Sequence, residues 1–126
     1  MKALLRLAAV LLLLAMLVGC NLFNSVSMEV TYSSSTIQNG GTVKVTGLDL
    51  TFSAVNTGLS TIEFTGSPRV QIGYITSGSW TLQTDLPTTL GGGDSVNFKI
   101  RSSGSGSARV TIPNNKGNDF IFYVSY

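Results

Sequence analysis

The carboxyl-terminal stretch SVNFKIRSSGSGSARVTIPNNKGNDFIFYVSY, residues 95–126, contains three runs in which apolar and polar side chains alternate. Val96, Phe98 and Ile100 share one face of the first run, Ala108, Val110 and Ile112 one face of the second, and Phe120, Phe122 and Val124 one face of the third. Successive side chains of a pleated strand point to opposite faces, so a period of two marks each run as a half-buried β-strand. The last run also carries Ile121 and Tyr123 behind its apolar row, which predicts a strand covered more fully than its neighbours.

The same period extends upstream. In VSMEVTY, Val26, Met28, Val30 and Tyr32 face one way and Ser27, Glu29 and Thr31 the other; in LDLTFSAV, Leu48, Leu50, Phe52 and Ala54 form the apolar row. Further runs lie over 61–65 with Ile62 and Phe64 inward, over 69–75 with Val70, Ile72 and Tyr74 inward, and over 79–85 with Trp80 and Leu82 inward. A shorter run is TVKVT. No helical period interrupts this series. Breaks rich in Ser, Thr, Gly and Asn recur about every 8 to 12 residues, the spacing of a sandwich. The expected fold class is therefore all-β, an antiparallel β-sandwich of about seven to nine strands with two sheets stacked about 10 Å apart.

The glycine clusters NGG (39–41), NTG (56–58), GGGD (91–94) and NNKGND (114–119) fall between these runs and read as turns. GGGD lacks the Lys-Ser or Lys-Thr pair opening a helix that a phosphate loop requires. NNKGND is rich in oxygen donors, but Lys116 stands in its middle and Asp119 is its single carboxylate, so a calcium loop is not expected.

Composition narrows the chemistry further. A chain of 126 residues with 43% apolar and 11% charged residues has room for one core. Beyond Cys20, Lys44, Lys99, Lys116, Arg69, Arg101 and Arg109 balance Glu29, Glu63, Asp49, Asp85, Asp94 and Asp119. No field is left to gather nucleic acid. The absence of histidine removes the usual Ser-His-Asp hydrolase, an imidazole-activated thiol and the common zinc sites. Asp85 and Asp94 are the nearest approach to a carboxylate pair, but they flank LPTTLGGG, and strand alternation places Asp85 on the solvent face. The expectation is no catalytic residue, no metal and no cofactor. Trp80, the one tryptophan, reads as core; the alternative makes it a sugar platform together with Tyr74, Tyr123 and Tyr126.

The amino terminus follows a different logic. Lys2 and Arg6 precede an unbroken apolar run over 7–18, which matches the hydrophobic region of a signal peptide and is short for a membrane-spanning helix. The run ends in LVGC, residues 17–20, which resembles the lipobox of bacterial lipoproteins. That resemblance implies cleavage between Gly19 and Cys20 and attachment of a diacylglyceryl group to the Cys20 thiol as a thioether. One acyl chain binds a bilayer marginally, at about 0.8 kcal/mol per buried methylene, so two or three chains make a durable anchor. The alternative is a short signal-anchor helix ending in an inert cysteine. Asn21 after the lipidated position implies sorting to the outer membrane of a host with two membranes, and otherwise the cell membrane is the address. Residues 21–27 form a tether reaching at most about 23 Å.

Residues 36–126 taken together resemble the choice-of-anchor D domain, one of the ASPM/SPD-2/Hydin-like immunoglobulin folds. The resemblance rests on NGGTVKV, LTFSAVNTG, LSTIEF, WTLQTDLPTTLGGGDSVNFKI, ARVTIPNN and FIFYVSY in this order. Arg101 and Ser102 stand where that family usually has Phe-x-Pro. The resemblance implies an immunoglobulin-like sandwich without catalytic residues. The expected organisation is a signal peptide over 1–19, a lipidated tether over 20–27 and one domain over 28–126. The expected function is a non-enzymatic structural or protein-binding module of the cell envelope, with carbohydrate binding as the alternative.

Overall fold

The computed structural model describes residues 27–75 and 79–126. The expectations for Gly19, Cys20, the tether over 20–26 and Val26 lie outside the described residues. Eleven strands and no helix form among the described residues: β1 (Met28–Tyr32), β2 (Ser35–Ile37), β3 (Thr42–Lys44), β4 (Asp49–Asn56), β5 (Ile62–Glu63), β6 (Gln71–Tyr74), β7 (Thr81–Thr84), β8 (Thr89–Leu90), β9 (Ser95–Arg101), β10 (Ser107–Ile112) and β11 (Phe120–Ser125). The sequence reading of seven to nine strands omits β2 and β8, which are three and two residues long. Runs that short do not complete a recognisable alternation.

β2, β1, β4, β9 and β7 form a five-stranded sheet in that order, and β3, β11, β10 and β6 a four-stranded one; β5 and β8 pair separately. Neighbouring strands are antiparallel except β3 and β11, which run parallel. NGG thus does not close a hairpin: it carries the chain from β2 in the larger sheet to β3 in the smaller one. Gly40 occupies a positive φ of 83° there, a conformation glycine adopts without steric cost.

The core lies between the two sheets. Phe52 of β4 stacks on Phe98 of β9 at 5.4 Å within the larger sheet and meets Phe122 of β11 in the smaller sheet at 5.5 Å and 53°. Val30, Ala54, Ile100, Ala108, Val110, Ile112, Phe120 and Val124 are fully buried around them, so the inward rows read from the sequence meet in one sandwich-like core. Ile121 and Tyr123 are half-buried, in keeping with a fuller cover on β11.

Two expected inward residues lie outside the core. Leu48 is 46% exposed because β4 begins one residue later, after Gly47 at a φ of 87° breaks the alternation. Tyr74 is 60% exposed because β6 is a sheet edge, with nothing beyond it to cover a ring at its end. Trp80 is buried, 1% exposed, which removes it as a sugar platform.

Candidate functional site

Asp85 and Asp94 serve separate structural tasks. The Asp85 carboxylate accepts hydrogen bonds from the backbone N–H of Arg69 and Val70 at 3.0 Å and of Leu86 at 2.8 Å, fastening the entry to β6 onto the exit from β7. It is therefore not the free solvent-facing charge that alternation suggested. The Arg69 guanidinium lies 3.9 Å away. Asp94 is exposed in the GGGD turn, where its N–H donates to Gly91 O at 3.1 Å and Gly93 adopts a φ of 78°. NNKGND is likewise a turn between β10 and β11: Asn114 Oδ1 accepts from Lys116 N–H, and its Nδ2 donates to the carbonyls of Ile112 and Asn118. Among the described residues no group of three His, Cys, Asp or Glu side chains converges as metal ligands.

NTG holds a feature that its reading as a turn does not capture. Position 56 continues the inward row Leu50, Phe52, Ala54, and Asn56 is fully buried there. Its Nδ2 donates to Ser60 O and Leu90 O, both at 2.9 Å, and its Oδ1 accepts from Gly58 N–H at 3.0 Å. An amide in a core must have such partners, because an unpaired buried polar group costs about 1–3 kcal/mol. The sequence signal was an Asn where the period of two demanded an apolar residue.

The outer face of the smaller sheet carries the most distinctive surface. Register aligns Thr42, Tyr123, Arg109 and Gly73 in one row across β3, β11, β10 and β6. Tyr74, Ile75, Gly73, Arg109 and Tyr123 line a hollow of about 370 Å³. The outward strand positions of this sheet bear Lys44 and Arg109 and no carboxylate. Arg109 has no side-chain hydrogen bond or ion pair among the described residues, where Arg69 and Asp85 form the single salt bridge. At Gly73 the row has no side chain: an added Cβ would meet only Arg109 O, at 3.9 Å.

This notch opens on a free edge. Ile75 N–H donates to Ser107 O, and antiparallel pairs alternate between bonded and non-bonded. Gly73 and Gln71 therefore direct their backbone groups at β10, while Ile72 and Tyr74 direct theirs away from it. β6 is the last strand in the sheet order. Sequence reasoning singled out Tyr74 and Tyr123 but missed Arg109 and Gly73; the available signal was a glycine inside a strand pattern, VQIGYI.

A second hollow, about 260 Å³, lies on the larger sheet and is lined by Asp49, Leu50, Gln83, Lys99 and Ile100, where β7 bulges at Gln83. Its Lys99 and Asp49 carry opposite charges. The chain matches no protein-family model and no curated protein.

Proposed function

We propose that this chain is a lipid-anchored protein of the cell envelope, held by a thioether at Cys20, whose single immunoglobulin-like domain is a non-enzymatic module that binds a protein partner on the edge of β6. The observation that carries the binding site is the Gly73 gap beside Arg109 at an open sheet edge. An extended segment added to β6 would bond to the outward backbone groups of Ile72 and Tyr74. Its residue opposite Gly73 would lie over the vacant position and reach Arg109, so an acidic or aromatic side chain fits there. Two packed sheets of five and four strands and the ordered motifs support the choice-of-anchor D resemblance as the fold family. The lipobox LVGC supports the anchor, and Asn21 supports the outer membrane where the host has two.

Proximity labelling on intact cells tests the edge. Neighbours labelled by the native protein are expected to disappear with Tyr74→Pro, which removes an outward N–H and leaves the β10 ladder intact. An unchanged set of neighbours refutes the edge as the binding site.

The 60% exposure of Tyr74, at the rim of the hollow that Tyr123 also lines, favours a second reading, carbohydrate binding there without Trp80. Glycan-array binding that is lost in Tyr74→Ala would select it.

A further inference from the structure

The tether enters the domain at the end that holds the loop over 57–60. Ser27 O accepts from Thr57 N–H at 2.9 Å, so the chain enters the domain against the loop over 57–60. Leu59, two residues further on, is 103% exposed, the most exposed large apolar residue among those described.

A single surface leucine is ordinary; what sets this one apart is how firmly it is held out. Asn56, fully buried, ties both flanks of the tip through Gly58 N–H and Ser60 O. The GGGD turn packs directly behind: a Cβ on Gly92 would stand 2.5 Å from Leu59 O and 2.9 Å from Gly58 O. Gly93 N–H donates to Asn56 O and Asn56 N–H to Asp94 O, both at 2.9 Å. Lys116 Nζ donates to Ser60 Oγ at 2.7 Å, placing an ammonium beside the leucine. A loop so bonded has no freedom to fold Leu59 back onto the core.

The tether decides what the leucine meets. Residues 21–27 span at most about 23 Å, less than the roughly 26 Å of an eight-residue strand such as β4. A domain anchored at Cys20 therefore keeps its Ser27 end close to the headgroups. We propose that Leu59 inserts into the lipid interface and stands the domain on this end, with Lys116 at headgroup level. The inference rests on the lipid anchor proposed above. Asp94 lies at the same end as Lys116, so the contact is apolar in character and insensitive to salt. Standing this way, the domain presents the edge of β6 sideways, with Tyr74 and Ile75 turned toward the end away from the bilayer.

The test uses the full lipidated protein reconstituted into phosphatidylcholine vesicles, where Cys20 is blocked by its thioether. Leu59→Cys and, at the opposite end, Ser103→Cys each carry an environment-sensitive dye. Flotation with the vesicles is measured first. The dye at 59 is expected to shift to the blue on reconstitution and to be quenched by nitroxides on the lipid acyl chains, equally in low and high salt. The dye at 103 is expected to respond only to a water-soluble nitroxide. Protein that floats while both dyes respond equally to the water-soluble quencher overturns the insertion and leaves the anchor standing. Protein that does not float overturns the anchor, and the insertion with it.

Discussion

Asn56 Nδ2 donates to the carbonyl oxygen of Leu90 at 2.9 Å, joining the end of β4 to β8 across 34 positions of sequence. This bond and its two companions convert an inward strand position into the support of a surface loop. Truncation by Asn56→Ala leaves Leu90 O unpaired in the core and removes the partner of Ser60 O and Gly58 N–H at its margin. The expected loss is about 3 kcal/mol in urea unfolding. Asn56→Asp is expected to cost more, since a carboxylate cannot donate to either carbonyl.

Asp85 performs a comparable task where the exit from β7 in the larger sheet meets the entry to β6 in the smaller one. Asp85→Ala removes an acceptor from three backbone N–H groups and should cost about 2 kcal/mol by chemical denaturation. Asp85→Asn keeps one carbonyl acceptor and should cost less.

Trp80 is the single tryptophan and is 1% exposed, so its emission should be blue-shifted in the native protein and move to the red on unfolding. Trp80→Ala opens a large cavity and is expected to cost about 3–5 kcal/mol. The indole Nε1 has no hydrogen-bond partner among the described residues. Trp80→Phe removes that unpaired donor along with part of the ring, and should be clearly the milder change in a thermal melt.

Gly73→Val separates stability from recognition. A Cβ at this position meets only Arg109 O, at an ordinary van der Waals distance of 3.9 Å, and valine replaces a poor strand former with a good one. Stability should rise by as much as about 1 kcal/mol, while labelling of the β6 partner is lost because the notch is filled. A labelled set identical to the native one would show that the notch is unused.

Cys20→Ser replaces the only thiol with a hydroxyl, too weak a nucleophile to accept the diacylglyceryl group. The variant should keep its uncleaved amino terminus, read by mass spectrometry, and carry no acyl mass. Normal trimming and retention at the bilayer would refute the anchor.

The inward rows of β1, β4, β9, β10 and β11 were legible because burial on one face of a pleated strand repeats every two residues, whatever the partner. The turns were legible because glycine clusters interrupt that repeat. Leu48 and Tyr74 misled the same reasoning, since alternation continues on paper past the point where a strand ends or loses its neighbour. Asn56 escaped notice because a polar residue in the inward row is also what a turn would use. Arg109 and Gly73 escaped because they meet only through the pairing of β6 with β10, which lie 36 positions apart at this row.

Local pattern alone established that the described residues are all-β, with their inward faces and turn positions, and it raised the expectation of lipid attachment at Cys20. The strand properties depend on neighbours within a few positions, where the geometry of a strand is complete. Tertiary structure decided which strands became edges, that β3 pairs in parallel with β11, that Asp85 and Asn56 are internal clamps, and that Arg109 faces an empty position. Sheet order and register are set by how distant strands share one core, and that information is spread over the whole chain.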